Sequence, residues 1–185
     1  MKHVGTYKQA ISPAKTGAVI ALVVWLCLLS VQPTKAQTAS GQTNVDVRQP
    51  LTVIKNSDLD FGAFIAGTTN SEFRIDAVTG VMTQLNGNAI AMGGTTARAS
   101  FTATGTPFQQ ANIRRSQNSI DIVRDGGSET MRVNDFWLGN RAGLRDQVLD
   151  ASGQATYFVG GKLHIGANQA AGTYRGTFNV TIEYQ

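Results

Sequence analysis

Apolar and polar residues alternate along most of the chain after Thr43. The apolar positions recur at every second residue, which is typical of antiparallel strands with one buried and one solvent-facing side. Clusters of Gly, Asn, Asp and Ser separate these runs, so we predict many short strands in a sandwich or barrel, with no convincing helix. The clearest alternating pairs are Leu51 and Val53, Leu59 and Phe61, Phe73 and Ile75, Ile120 and Ile122, Met131 and Val133, and Leu163 and Ile165.

Two hairpins can be predicted from their turn residues. The first joins Phe73 and Ile75 to residues 81–84 through a turn that Gly80 closes. The second joins residues 120–123 to residues 130–133 through Asp-Gly-Gly, because Asp-Gly permits the positive φ that hairpin twist requires. Residues 133–149 leave two interpretations open: a long loop with one helical turn, or a strand, a gap and a strand.

The glycine pair Gly160–Gly161 lies inside an alternating run. Phosphate-binding loops connect a strand to a helix, and this pair does not lie in such a setting. Glycine within a strand instead indicates a bulge or a close approach of another backbone.

The first 36 residues have the pattern of a secretory signal peptide. Lysines precede a 15-residue apolar run from Gly17 to Val31, and Thr34-Lys35-Ala36 fits a small-x-small cleavage site. The run is short for a bilayer span of about 20 residues, although an uncleaved anchor is the alternative. We therefore predict a signal peptide at 1–36, a flexible segment or donor strand at 37–49, and a single β-domain at 50–185, secreted through the periplasm to the cell surface or beyond, with no membrane span after cleavage.

Removing the leader changes the charge and cysteine arguments. Four of the 16 basic residues lie in the leader, which leaves 12 to balance the 12 acidic residues. A balanced charge gives no electrostatic case for nucleic acid or an anionic membrane as a partner.

The single cysteine, Cys27, also lies in the leader, so the secreted domain has no disulfide and no thiolate metal site.

The polar residues do not form a recognisable catalytic or metal-binding pattern. Asn56, Asp58 and Asp60 resemble the start of a calcium loop, but Phe61 and Gly67 stand where the loop needs Gly and Glu. The only histidine after the leader is His164, which the alternation places on the outer side of a strand. We therefore predict no enzyme, no cofactor and no metal; a secreted hydrolase with scattered carboxylates is the least favoured alternative.

Trp137 has two interpretations. It is a buried core aromatic, or it is an exposed ring on which a sugar stacks, because indole is amphipathic. Under the second interpretation Trp137 and Arg141 are the candidate ligand contacts of a monomeric binding module for carbohydrate or protein.

The last fourteen residues, GTYRGTFNVTIEYQ, form the most regular alternating run, and the chain stops directly after it. A terminal strand with one apolar side exposes open backbone groups along its edge, which favour pairing with another strand. Either an early strand of the same chain (45–48 or 51–55) pairs with it, or another chain does. The apolar and aromatic positions of this run are Tyr174, Phe178, Val180, Ile182 and Tyr184.

Residues 50–185 resemble a family of secreted bacterial domains of unknown function. The resemblance rests on Leu-Asp-Phe-Gly at 59–62, the glycine pair before a strand, Ala-Gly-Thr-Tyr at 171–174 and the alternating end. The end, Gly-x-Phe-x-Val-x-Ile-x-Tyr-Gln, is also similar to the last strand of chaperone–usher pilins and spore-coat-U-type secreted proteins.

The pilin resemblance implies an Ig-like antiparallel sandwich that lacks one strand. A periplasmic chaperone would lend that strand, and the N-terminal segment of the next subunit would then replace it. By this analogy the five C-terminal positions line a groove, and Val45 and Val47 belong to the donor segment. The chain departs from the pilin pattern because it lacks the cysteine pair and because Pro50, which cannot donate to a ladder, follows the donor candidate. The function we expect is a non-enzymatic, exported surface protein, pilin-like or coat-like, that assembles or adheres through strand addition and self-association.

Overall fold

Residues 37–185 are described by the structure, a computed structural model. The predicted signal peptide at 1–36 therefore lies outside the described residues, and so does Cys27. Residues 46–185 form one compact unit built from strands alone. The strands are β1 (Thr52–Ser57), β2 (Ala63–Ile65), β3 (Ser71–Ile75), β4 (Met82–Asn86), β5 (Ile90–Gly93), β6 (Ala99–Thr104), β7 (Gln110–Arg115), β8 (Ser119–Arg124), β9 (Thr130–Gly139), β10 (Asp146–Val148), β11 (Gln154–Ile165), β12 (Tyr174–Arg175) and β13 (Val180–Tyr184).

The larger sheet is antiparallel and is organised around β11. Its main order is β1-β6-β11-β9-β8-β12, and β3 and β4 extend it beside the second half of β11. Residues 154–159 of β11 pair with β6, whereas residues 161–165 pair with β3. One twelve-residue strand therefore joins two groups of strands, because its two halves have different neighbours on the same edge.

Gly160 lies where β11 changes neighbours. The register of its pairing with β9 shifts between Gly160 and Lys162, where β9 has one residue more than β11, so the bulge is on β9 opposite the glycine pair. A side chain at Gly160 would meet the carbonyl oxygen of Ile75 and the amide nitrogen of Ala77, the latter at 2.7 Å. The close approach predicted for the glycine pair is present, since the backbone of the β3 end can approach β11 only where no Cβ intervenes.

Two smaller antiparallel sheets complete the fold. One has the order β10-β7-β13, and the other is the pair β2-β5. Tyr157, fully buried on β11, donates a hydrogen bond from its hydroxyl to the carbonyl oxygen of Ala111 on β7 at 2.8 Å. This bond joins the larger sheet to the β10-β7-β13 sheet, and burial raises the pKa of Tyr157 to about 12. The core between the sheets includes Phe73, Ile75, Phe101, Ile113, Phe136, Leu138, Tyr157, Val159, Leu163 and Ile182.

The predicted all-β fold is confirmed as an antiparallel sandwich of the Ig-like kind, without helices in the described residues. Both predicted hairpins are present, as the β3–β4 and β8–β9 pairs. For residues 133–149, the strand–gap–strand interpretation is correct: β9 ends at Gly139, a turn follows, and β10 begins at Asp146. Within residues 37–185, no helix has the length and apolarity needed to cross a membrane.

Two expectations need correction. The end of the chain is not one strand, because Tyr174–Arg175 pairs with β8 in the larger sheet and Val180–Tyr184 pairs with β7 in a smaller one. The segment between them passes so close to β8 that a side chain at Gly176 would lie 2.7 Å from Cγ2 of Ile122.

The alternation of Leu51 and Val53 also does not mark a buried face, since β1 is an edge strand and Val53 is exposed.

Candidate functional site

A long open groove lies on the inner face of the larger sheet. Residues 58–66 form one side of it and residues 169–178 form the other. Its volume is about 1190 Å³, above the range of roughly 300–1,000 Å³ that is typical of small-ligand pockets. The groove is the principal candidate for a functional site, because it exposes part of the face that a sandwich normally buries.

The floor of the groove consists of apolar side chains from three neighbouring strands. On β8 and β11 they occupy alternate positions, so strand pleating turns them toward the same side. On β9, Phe136 follows Val133 by three residues across a register shift, which brings both to that side. Those on β8 are only half-buried, whereas those on β11 are buried, so the floor is least covered near the β8 edge. The floor residues are Ile120, Ile122, Met131, Val133, Phe136, Leu163 and Ile165.

Aromatic contacts fix the C-terminal side of the groove. The ring of Phe178 stacks on that of Phe136 with centroids 5.2 Å apart, and it meets Phe101 edge-on at 6.3 Å. The hydroxyl of Tyr174 donates to the carbonyl oxygen of Ala170 at 2.7 Å and accepts from the side-chain amide of Gln169 at 2.8 Å. This side therefore has a defined shape, although it contains only the two strand residues of β12.

The predicted assembly positions do not lie on one strand: Tyr174 is in β12, Phe178 is in the connecting segment, and the other three are in β13. Val180, Ile182 and Tyr184 lie on the inward side of β13, and Ile182 is buried at 9% exposure. Tyr174 and Phe178 instead belong to the side of the groove, as described above. One edge of β13 pairs with β7, and no strand among residues 37–185 pairs with the other edge.

The early part of the chain does not form a ladder with β13. β1 pairs with β6, so residues 51–55 do not close the C-terminal strand. The segment before β1 contacts β13 through the side chain of Tyr184 instead. The Tyr184 hydroxyl donates to the carbonyl oxygen of Gln49 at 2.9 Å and accepts from the backbone amide of Thr106 at 2.7 Å. The backbone amide of Gln49 donates to the hydroxyl of Thr106 at 2.7 Å. Tyr184, Gln49 and Thr106 together therefore anchor the chain just before β1.

The predicted donor residues do not belong to a strand in this structure. Val45 and Val47 are 80% and 85% exposed. Residues 37–50 contain no regular secondary structure, so the two valines contribute nothing to the core of their own domain.

A second cavity lies beside Trp137 and has a volume of about 460 Å³. Trp137 is 63% exposed, so its interpretation as a core aromatic is wrong: Phe136 and Leu138 on either side take the buried face of β9. Arg141 lies in the turn after β9 and does not line this cavity. The polar lining comes from Arg115, Asn118, Asp135, Arg145 and the indole.

Hydrogen bonds hold one arginine of this cavity in place. Arg115 donates from Nη1 to the carbonyl oxygen of Phe136 at 2.8 Å and from Nε to Oδ1 of Asn118 at 2.9 Å. Asp135 forms an ion pair with Lys162 at 3.0 Å, and the hydrogen bond from Lys162 lowers the pKa of Asp135. The arginine charges in the cavity are therefore not balanced by Asp135, whose partner is Lys162.

The residues considered as metal ligands or as a catalytic base form hydrogen bonds and ion pairs within the fold. Asp58 pairs with Lys55 at 2.6 Å, and Oδ1 of Asp60 accepts from the amide of Gly62 at 2.8 Å. His164 is partly exposed on β11, where Nδ1 lies 2.9 Å from a Glu72 oxygen and Nε2 lies 2.9 Å from Oδ1 of Asn134. Among residues 37–185, no three His, Cys, Asp or Glu side chains are grouped closely enough to hold a metal ion.

Several residues that line the groove and the cavity could not be identified from the sequence. The alternation indicated that Ile120, Ile122 and Met131 share a face, but it did not indicate that this face is open. Arg115 and Arg145 lie on or next to different strands, β7 and β10, and no local pattern connects them to Trp137.

The architecture and the groove define a class of protein: a strand-only sandwich domain whose inner face is incompletely covered. A family comparison then places the chain. It belongs to the family described as domain of unknown function DUF4402, whose model matches residues 51–184. This confirms the resemblance to an uncharacterised domain family; the resemblance to pilins and spore-coat proteins stays a prediction. No curated protein and no solved structure matches the chain.

Proposed function

We propose that this protein is an exported, non-enzymatic structural or adhesion protein of the cell surface that assembles by β-strand addition. The open apolar groove is the observation that carries the proposal. Its floor of half-buried isoleucine and methionine is a surface that an additional strand would cover. In strand addition, main-chain hydrogen bonds supply affinity and pockets for alternate side chains supply specificity.

The free edge of β13 supports the same proposal. The added strand needs an edge with open backbone groups, and β13 has one within the described residues. Phe178, on the segment that leads into β13, lines the groove, and Ile182 of β13 belongs to the same hydrophobic core. An edge and an apolar floor together are the requirements for β-augmentation.

The proposed donor is the segment 37–49 of another copy, with Val45 and Val47 as its apolar side chains. Both valines are exposed and make no core contact in their own chain. Their spacing of two residues matches the period of a strand, so both can face the floor at once. A periplasmic chaperone would occupy the groove before assembly, which would protect the open floor during export.

Deletion of residues 37–49 tests the donor. We expect the truncated protein, expressed behind its intact leader, to remain a chaperone-bound or poorly dissolved domain and to form no assemblies. Assembly is measured by size-exclusion chromatography with light scattering and by unboiled gels, where strand exchange gives ladders that resist mild denaturant. A truncated protein that folds and associates as before would show that this segment is not the donor.

Substitution of Ile122 by Lys tests the groove independently of the donor. Ile122 lies in the groove floor, and the adjacent Val123 on β8 is 42% exposed and does not line the groove. We expect Ile122→Lys to abolish assembly, because a charge on the floor opposes burial by an added strand. Val123→Lys is the matched control, since it adds the same charge on the next residue and should assemble normally. Equal assembly by the two variants would contradict strand addition in this groove.

A second candidate function is favoured by the cavity beside Trp137. Here the protein would be a monomeric module that binds carbohydrate or protein through an exposed indole. Light scattering separates the two functions, because a module gives one compact species at every concentration whereas strand exchange gives a series of sizes.

A further inference from the structure

We infer that the cavity beside Trp137 is a binding site for sugars that carry a carboxylate. This inference rests on the adhesive role proposed above and gives it a ligand class, but it does not depend on strand addition. An aromatic platform and two guanidinium groups line one cavity of about 460 Å³. That volume lies within the range of roughly 300–1,000 Å³ found for small-ligand sites.

The indole supplies the apolar part of the site. Trp137 is 63% exposed although it lies in the middle of a strand, between two buried residues. A large aromatic ring on the outer side of a sheet offers a flat apolar face, and the C–H face of a pyranose ring is a suitable partner for it. Asn118, whose oxygen binds Arg115, retains its amide N–H groups as donors for hydroxyl oxygens.

The two arginines supply the charge. A guanidinium has five N–H donors in a fixed plane, and the bonds to Phe136 and Asn118 use two of those of Arg115. The remaining donors are held in position by these two bonds. Arg145 forms no ion pair with a residue in the described part of the chain. Arginine pairs with a carboxylate through two parallel hydrogen bonds, which makes it more selective for this group than a lysine would be.

The charge of the site favours an acidic sugar over a neutral one. Asp135 is the acidic side chain in the lining, and Lys162 neutralises it at 3.0 Å. The cavity therefore carries an excess of positive charge in a domain whose total charge is balanced. A single aromatic ring with two arginines suits one acidic ring of a glycan, whereas a nucleic acid needs an extended basic track with several stacking rings.

Calorimetry with two tetrasaccharides tests the inference. The probes are a hyaluronan tetrasaccharide, which contains glucuronate, and tetra-N-acetylchitotetraose, which has the same length, no carboxylate and no charge. The protein is expressed from its complete sequence, and its monomeric fraction is used. We expect the acidic probe to bind at least about tenfold more tightly than the neutral one, because a charge-assisted pair is lost with the neutral sugar.

Four variants separate the site from general effects of charge and shape. Trp137→Ala and Arg145→Gln should each weaken binding of the acidic probe by about tenfold or more. Phe108→Ala removes another exposed aromatic, 70% exposed, and Arg132→Gln removes another sheet arginine; both should bind like the unaltered protein. If Trp137→Ala fails to fold, Arg145→Gln decides the result, since it changes only an exposed side chain.

Three outcomes would overturn the inference. Equal binding of both probes would show a site for neutral sugars, and equal weakening by the control variants would show a general charge effect. No binding of either probe would remove the site altogether. Assembly is measured on the same samples, so loss of sugar binding with normal assembly would contradict this inference alone and leave strand addition intact.

Discussion

The hydroxyl of Tyr184 connects the last strand to the segment just before β1. It accepts a hydrogen bond from the amide of Thr106 and donates one to the carbonyl oxygen of Gln49, at 2.7 and 2.9 Å. We predict that Tyr184→Phe loses both bonds and keeps the ring in place. The variant therefore tests whether these two bonds hold residues 46–50 against the last strand.

The expected destabilisation follows from the two bonds. Each neutral hydrogen bond contributes roughly 0.5–1.5 kcal/mol, and a partly buried amide left without a partner adds to the loss. We expect a total of about 2 kcal/mol. For a urea m-value of about 2 kcal/mol/M, the unfolding midpoint should fall by about 1 M.

Urea unfolding and hydrogen exchange together provide the assay. The urea midpoint gives the change in the free energy of unfolding, and the exchange rate of the Thr106 amide reports its hydrogen bond to Tyr184. Tyr174→Phe is the matched control, because its hydroxyl also has two partners, Ala170 and Gln169, but in another loop. The control should lose stability and leave the Thr106 amide protected. An unchanged midpoint with unchanged protection in Tyr184→Phe would refute this reasoning.

Two further predictions concern β11. Gly160→Ala should destabilise the fold by roughly 1–3 kcal/mol or more, because the new Cβ meets backbone atoms of Ile75 and Ala77. Gly161→Ala is the control and should destabilise it less, because the nearest atom there is a leucine methyl at 3.3 Å. Equal urea midpoints for the two variants would contradict this prediction. Burial raises the pKa of Tyr157 to about 12 from 10.0, so the folded state favours the neutral phenol, and about 3 kcal/mol of stability present below pH 10 should be lost as the pH rises to 12. Tyr157→Phe should flatten this alkaline loss in urea titrations, and an equally steep curve would show that another group causes it.

The sequence by itself determined the class of fold and most of its hairpins. Period-two alternation identifies which side chains share a face, and this holds for Phe73 and Ile75, which are both buried. Turn residues fix connections between neighbours in sequence, so the β3–β4 and β8–β9 pairs were predictable. The glycine pair in β11 also indicated a close approach of another backbone, because glycine weakens a strand unless geometry requires it.

Only the tertiary structure decided which strands meet across long distances and which faces remain open. Alternation continues through residues 174–184, yet the backbone changes sheets near Gly176, since pairing with β8 and with β7 depends on strands 50 or more residues away. The exposure of Trp137 has the same origin: pleating fixes that it opposes Phe136, but the packing of the sheets decides which of the two is buried. The groove exists because the smaller sheets cover the inner face incompletely, and local patterns carry no information about the extent of that cover.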